Sequence, residues 1–409
     1  MWGRSLKIKS LNHLRNVKFK DFIQLQRGFD LPKYDLVNGP YPVIGSTSII
    51  GHHNQYKVEP PGVVTGRSGS LGQLQFIREK YWPHNTSLWV RDFKGNYPRY
   101  VYYFLKSLDL SNFNSGAGVP TLNRNHLDTM ELLIHPISDQ HRIATILSAY
   151  DDLIDNNTRR IRILEEMAQA IYREWFVDFR FPVQEGVRMV ESELGLVPEG
   201  WQVIELDKLT LDIIDYRGKT PKKLDSDWST EGIPAISALN IKKGELIHLE
   251  KTKRVSEELY KKWMKSELES GDILMTSEAP LGELFFLVTK KRFCLSQRVY
   301  CIRADSSRIK PIILYFSLDS PLARNEIQSR ATGTTVLGIR QSLLRKIPVI
   351  TPPIHLQEKL EQPLSNIFRM RENLIDKNTN LRRTRDLLLP KLISGELDVS
   401  ELDIEVPAA

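Results

Sequence analysis

The chain is 409 residues long, has a net charge of +7 and a pI near 9.1, and is 41% hydrophobic and 26% charged. This is the profile of a globular protein of several domains. The apolar run LFFLV (284–288) is strand-length and far short of the roughly 18–20 residues of a membrane helix. No apolar stretch follows the charged start MWGRSLKIKSLN, so no secretory leader is expected. Cys294 and Cys301 lie seven apart in a strand-like run, on opposite faces, which suits neither a bridge nor a cysteine zinc site and fits a reducing cytoplasm. The basic balance suits a polyanion such as nucleic acid, and equally a protein kept soluble by charge.

In chain order, short strand-like runs come first: YPVIGSTSII (41–50), GVVTGR (62–67) and TSLWV (86–90), then a helix over 97–108. PISDQHRI (136–143) opens a long helix. Its seam runs Ile143, Leu147, Tyr150, Ile154, Asn157, Ile161, Leu164, Ala168, Ile171, Trp175, in steps of four and three. A polar, Gly- and Pro-punctuated segment near 185–200 reads as a linker. The pattern then recurs: strands DILMT (272–276), ELFFLV (283–288) and RVYCI (298–302), a helix KPIILYFSL (310–318), and PIHLQEKL (353–360) opening a second long helix. That helix has the seam Leu360, Leu364, Ile367, Arg371, Leu374, Asn378, Leu381, Arg385, Leu388, Leu392.

These parallels are ordered, and the chain is therefore a duplication. LIDNNT (153–158) matches LIDKNT (374–379), YPVIG (41–45) matches IPAIS (233–237), RGFDLP (27–32) matches RGKTP (217–221), GVVTGRSGSLGQL (62–74) matches GDILMTSEAPLGEL (271–284), and SGAGVPTLNRN (115–125) matches RATGTTVLGIR (330–340). Each helix buries one stripe, and the economical arrangement has each bury it on the other as an intramolecular antiparallel coiled coil. Asn157 and Asn378 fall at facing seam positions and are expected to share a layer that fixes register, with Ile154, Ile161, Leu374 and Leu381 pairing around them; the alternative is that both asparagines face solvent. Helices of roughly 35–40 residues would form a rod of about 50–60 Å with a globule at each end, related by a pseudo-twofold axis. Leu147 to Leu153 is six residues and Leu364 to Leu374 is ten, a difference of about one turn. Asp151 and Asp152 read as a solvated helix face. The stretches Arg159, Arg160, Arg162 and Arg382, Arg383, Arg385 face DNA, acidic partner patches or solvent.

The order globule–helix–globule–helix carries characteristic phrases. They are GVPTLNRNHLDTMELLIHPISDQHRI (118–143), REWFVDFRFP (173–182), EGW (199–201) and LLLPKLISGELDV (387–399). With these, nearly the whole chain resembles the specificity (S) subunits of type I restriction–modification systems. The resemblance implies an α+β tandem repeat: a target recognition domain over 1–135, a long helix and spacer over 136–184, a linker and second recognition domain over 185–352, and a second long helix with its tail over 353–409. It implies a cytoplasmic, non-catalytic subunit in which each globule reads one half of a bipartite double-stranded DNA target. The helices would set the gap and dock two methyltransferase (M) subunits, which hold S-adenosylmethionine; restriction (R) subunits join the full complex. No cofactor, metal or membrane is expected for this chain itself. The two globules differ greatly in sequence, which implies an asymmetric target.

Phosphate contacts come from Lys, Arg and hydroxyls, and base reading from Arg, Asn and Gln. In the first globule the candidates are Arg67, Ser68, Ser70, Arg78, Lys80, Trp82 and His84. In the second they are Lys222, Lys223, Lys242, Lys243, Ser277, the KKR cluster Lys290, Lys291 and Arg292, and Gln297 and Arg298. For any single lysine the alternative is a solvated charge. Enzyme signatures fail: TPPI (351–354) lacks the Asp/Asn and aromatic of an amino-methyltransferase loop, and GRSGSLG (66–72) lacks a Lys-Ser/Thr ending. RGKT (217–220) has Ile213 where a phosphate loop needs glycine. The competing reading is a self-sufficient methyltransferase or nuclease with an unrecognised site.

Overall fold

The structure is a computed structural model; it describes residues 14–67, 71–108, 110–113, 122, 127–182 and 187–404. The predicted Ser68 and Ser70 and most of the 115–125 repeat phrase lie outside the described residues. Two compact units form, 1–158 with 376–409 and 159–375, and each holds one globule with half of each long helix.

The two units share a topology. In the first, an antiparallel sheet runs Gln24–Arg27, Ser87–Asp92, Gly62–Gly66, Leu74–Ile77. In the second, the corresponding order is Thr210–Asp215, Val299–Ala304, Ile273–Thr276, Leu284–Phe286. A three-stranded sheet accompanies each. In the first unit it is Ile49–His53, Tyr41–Ile44 and Trp82–Pro83; in the second it is Arg254–Val255, Ile233–Ile236 and Cys294–Leu295, and the last pair in each is parallel. A strand pair just ahead of each long helix completes the set, Arg15–Lys18 with Glu131–Ile134 and Gln202–Glu205 with Pro348–Thr351. The ordered sequence parallels are thus a repeat of strand order, consistent with the α+β tandem repeat.

Each globule closes on helices. Proline opens both Pro98–Ser107 and Pro311–Asp319, where its missing N–H costs nothing. In the first unit Tyr100, Phe104, Val90 and Phe22 share a core with Ile143 and Leu147 of the first long helix and with Leu389, Leu392 and Ile393 of the second. In the second unit Tyr315, Phe316, Ile302 and Met275 share one with Ala168 and Tyr172 and with Leu360, Leu364 and Phe368.

The long helices are Ile137–Phe176 and Ile354–Ile393, forty residues each. The four-residue difference therefore moves the LID phrase along the helix without lengthening it. The first helix stops at Phe176, short of the expected 184. Phe179 turns the chain with a left-handed backbone (φ 54°), and Phe176, Phe179 and Phe181 gather on Trp201 with ring centroids 5.2–5.9 Å away. Trp201 belongs to the EGW phrase, so two phrases far apart in sequence meet in one aromatic cluster. The expected linker folds a hairpin, Met189–Ser192 with Gly195–Pro198, anchored by buried Val197. Toward that end of the first helix Tyr172 and Phe176 are buried while Ile171 and Trp175 are only partly so. A 3.6-residue turn drifts from a strict heptad, and Tyr172 stacks on Phe316 and bonds Ser317 Oγ at 3.1 Å. Cys294 and Cys301 are buried free thiols on two different strands, not one run.

Candidate nucleic-acid interface

In the second unit the turn Ala238–Asn240 caps itself: Asn240 Oδ1 accepts the Ser237 N–H at 3.0 Å, and its Nδ2 donates to Ile247 O (3.1 Å) and Thr252 Oγ1 (2.7 Å). This buried amide ties 237–252 into one wall of a cleft of about 800 Å³ whose other wall includes Ala279, Gln297 and Arg298. Lys251, Lys253, His248 and Arg298 line it, and among the described residues lining it none is acidic. The Lys253 ammonium lies 5.1 Å from the Trp228 ring, and Leu239 stands 77% exposed on the turn. His248, Ala279 and Arg298 all hold left-handed φ values (55°, 48° and 63°) although none is glycine, a concentration of strained backbone typical of functional surfaces. A cleft whose lining is cationic concentrates anions; Asn240 is fully bonded within the wall, and Gln297 is the amide that lines the opening.

Of the residues foreseen in this globule, Gln297 and Arg298 line the cleft. Gln297 Nε2 donates to Lys219 O (2.8 Å), and Arg298 pairs with Glu278 (3.1 Å). Lys222 and Lys223 are exposed on the turn Pro221–Leu224, and Lys223 Nζ donates to Gly218 O. Lys242 is exposed at a short hairpin, and the Lys243 N–H donates to Glu283.

Two expectations need correction, for Ser277 and Trp82, and the KKR cluster has partners the sequence did not show. Ser277 is 1% exposed; its backbone bonds Arg298 O and the Ile339 N–H, so it braces the cleft instead of touching a ligand. The KKR cluster pairs with carboxylates: Lys290 with Glu267 (2.9 Å), Lys291 with Glu372 of the second long helix, and Arg292 with Glu257 (2.8 Å), as Arg298 does with Glu278. Trp82, in the first globule, is buried, with Nε1 3.4 Å from Phe29 O and its ring edge-on to His53. Its exposed neighbour Lys57, absent from the sequence candidates, lies 4.7 Å over that ring, as Lys253 lies near Trp228. Lys251 and Lys253 were also missed, although the phrase LEKTKR (249–254) carries them.

In the first globule Arg67 is half-buried, its N–H on Thr86 O and its carbonyl accepting from Leu122. Lys80 pairs with Glu59 at 3.1 Å and lies 4.4 Å from the Tyr56 ring. His84 Nδ1 bonds Thr86 Oγ1, and Arg78 reaches Asp152 on the first long helix.

Within the first unit the long helices run antiparallel: Asp151 meets Arg385 (2.5 Å) and Asn157 Nδ2 donates to Asn378 Oδ1 (2.9 Å). Asn378 Nδ2 continues to Thr158 Oγ1 (3.2 Å) and Ile154 O (3.3 Å). The two asparagines are equivalents in the LID phrases and are both buried. Ile154 is buried with them and Leu381 partly so. Within the second unit Arg371, 6% exposed, donates to Glu165 (2.5 Å) and to Gly244 O (3.1 Å), and Ile161 and Leu374 are buried. The polar seam members Arg371 and Arg385 thus each have a carboxylate on the facing helix. Asp151 is no solvated residue: besides Arg385 it accepts the Tyr103 hydroxyl at 2.5 Å. Arg159, Arg160, Arg382 and Arg383 are exposed, and Arg162 is paired with Glu166.

Among the described residues no cluster of three His, Cys, Asp or Glu could hold a metal, and no helix is long and apolar enough to cross a membrane.

Two α+β globules of one topology, each secured to an antiparallel pair of long-helix segments, define a duplicated reader protein. The chain belongs to the family described as the type I restriction modification DNA specificity domain, whose profile matches residues 14–166 and 198–381. It is 28% identical over 315 residues to the type I restriction enzyme MjaIX specificity subunit of Methanocaldococcus jannaschii, covering 75% of this chain and 71% of the relative. It is 24% identical over 311 residues to the MjaVIII specificity subunit of the same organism, covering 74% and 71%. Its fold is similar to the S subunit of a type I restriction–modification system from M. genitalium, with a TM-score of 0.65, 14% identity and coverage of 96% of this chain and 98% of that one.

Proposed function

We propose that this chain is the specificity subunit of a type I restriction–modification complex, acting in the cytoplasm and carrying no catalytic centre of its own. Each globule reads one half of an asymmetric two-part site in double-stranded DNA. In the second globule the cationic cleft around Lys251, Lys253, Gln297 and Arg298 grips backbone phosphates and base edges, and Leu239 contacts a base from its exposed turn. The helices set the gap between half-sites, as in other paired readers, and dock two methyltransferase subunits that bring S-adenosylmethionine. Restriction subunits complete the assembly. The observation that carries this reading is the repeated strand order and helix pairing, two readers built alike, beside globule sequences that differ. Selection of duplexes from a randomised pool by the full chain tests it. The expected result is two unlike half-sites at a fixed separation, with affinity falling steeply between 50 and 200 mM salt as counterions are released. Methyl transfer or cleavage by the chain alone, or recovery of one undivided site, would overturn it.

A further inference from the structure

Gln140 and Gln357 each stand fourth in their long helix, and both are fully buried. Their hydrogen bonds are the same bonds made twice. Gln140 Oε1 accepts the N–H of Tyr97 at 2.9 Å, and Gln357 Oε1 accepts that of Lys310 at 2.8 Å; each of these is the residue just before the proline that opens the globule's helix. Gln140 Nε2 donates to His135 O (2.9 Å) and Asn96 Oδ1 (2.7 Å), while Gln357 Nε2 donates to Pro352 O (2.7 Å) and Arg308 O (3.2 Å). One side-chain amide in each unit therefore joins three segments: the approach to the long helix, its first turn, and the start of the helix inside the globule.

A second fastening recurs farther along. Asp151 and Glu372 are equivalents, each two residues ahead of the leucine of the LID phrase. Asp151 accepts the Tyr103 hydroxyl and lies 3.8 Å from Arg99, both on Pro98–Ser107. Glu372 holds Lys291, with Thr289 Oγ1 at 3.5 Å, both from the second globule. Both carboxylates are mostly buried. Eleven residues separate Gln140 from Asp151 and fifteen separate Gln357 from Glu372, about 16 and 22 Å of helix at 1.5 Å per residue. Each globule also shares an apolar core with the long helices; that packing is not directional, and two polar attachments at that separation add the restraint on angle.

We propose that Gln140 and Gln357 are positioning residues which, with Asp151 and Glu372, lock the angle of each reader on its helix and thereby set how strictly the gap between half-sites is enforced. This rests on the two-part reading of DNA proposed above. The test uses the full chain and its Gln357→Leu variant, each selecting from a pool of duplexes randomised in sequence and separation, with thermal melting as the folding check. Wild type is expected to favour one separation over its neighbours by about tenfold or more, a difference of about 1.4 kcal/mol. Gln357→Leu is expected to keep the same half-sites and bring neighbouring separations within about threefold. If Gln357→Leu fails to fold, Glu372→Gln, which leaves every Gln357 bond in place, carries the same measurement. A folded variant that keeps the wild-type separation, or that changes the bases read, overturns the inference and leaves the two-part reading intact. A wild-type chain with no preferred separation overturns that reading itself.

Discussion

Replacing Asn157 and Asn378 by leucine, singly and together, tests the polar layer quantitatively. Asn378 is 2% and Asn157 8% exposed, so neither turns to water when its partner is lost. In Asn157→Leu, Asn378 Nδ2 keeps Thr158 Oγ1 and Ile154 O, but Oδ1 loses its donor. A buried polar atom left without a partner costs about 1–3 kcal/mol. In Asn378→Leu the Asn157 Nδ2 donor is orphaned at similar cost, and the leucine of each single variant recovers part of the loss by burial. In the double variant neither orphan remains, and two leucines of nearly the same volume fill the layer. That chain should equal or exceed wild type in stability, as buried polar pairs often do when replaced by apolar ones. The double-mutant cycle should therefore show a coupling of about 2–3 kcal/mol in favour of the double variant, read from urea unfolding of the four chains by circular dichroism. The price of the double substitution is register, because a polar layer is what distinguishes one seam alignment from a slipped one. Additivity within about 0.5 kcal/mol would refute the pairing.

Three further outcomes are expected. Glu165→Met should destabilise the chain by about 1–2 kcal/mol, because the buried Arg371 cation loses its nearer carboxylate and keeps Glu245 at 3.6 Å and Gly244 O, whereas Arg371→Met, which leaves a partly exposed Glu165, should cost about 1 kcal/mol or less; a larger loss for Arg371→Met in denaturant titrations would contradict the asymmetry. Lys251→Gln and Lys253→Gln should each lower the slope of log affinity against log salt by about 0.9 and weaken binding to all sequences alike. Lys290→Gln, at a lysine held by Glu267, should leave the slope unchanged in anisotropy titrations, and a drop as large as for Lys253 would return the KKR cluster to the interface. Burial pushes the Cys294 thiol up to about 12 and Cys301 well above its ordinary value, so at pH 8 neither is appreciably thiolate. A disulfide reagent should label both only after unfolding; fast release of one equivalent from the native chain would refute this.

What could be read from sequence was what depends on order and period. The LID phrases placed Asn157 and Asn378 at facing positions because a four–three spacing maps directly onto a helix seam, and the likeness of the two halves followed from parallels kept in sequence, although the order of strands within each sheet did not. What could not be read was who neutralises whom. Lys290, Lys291 and Arg292 look like a free basic patch until folding brings up Glu267, Glu372 and Glu257, each remote in sequence. Asp151 looks solvated until Tyr103 and Arg385 arrive from two other elements. Trp82 stands among basic residues as a candidate contact because nothing in its local sequence signals that Phe29 and His53 cover it. The cleft lysines escaped notice for the converse reason: Lys251 adjoins Glu250 and Lys253 follows two residues later, yet Glu250 is not among the cleft's walls.

The same distinction explains how two readers so unlike in sequence can share one frame. Of the six hydrogen bonds made by the Gln140 and Gln357 amides, five end on backbone N–H or C=O groups, and only Asn96 contributes a side chain. A backbone group is present whatever residue occupies the position, so at the glutamine the globule's side places almost no demand on its sequence beyond a helix opened by proline at the right place, while at the carboxylate it must offer a donor, Tyr103 and Arg99 in one unit and Lys291 and Thr289 in the other. Most of the demand falls on the long helices, through one glutamine and one carboxylate in each, and the donors that meet the carboxylate differ between the two globules. The surfaces that would discriminate bases, such as the turn carrying Leu239 and the segment from His248 to Lys253, lie outside these contacts. A reader can therefore change what it recognises without disturbing how it is held. A fold that had to vary its specificity while keeping a fixed gap would separate the two tasks in this way, with side chains free to diverge where DNA is read and backbone geometry shared where the reader is attached.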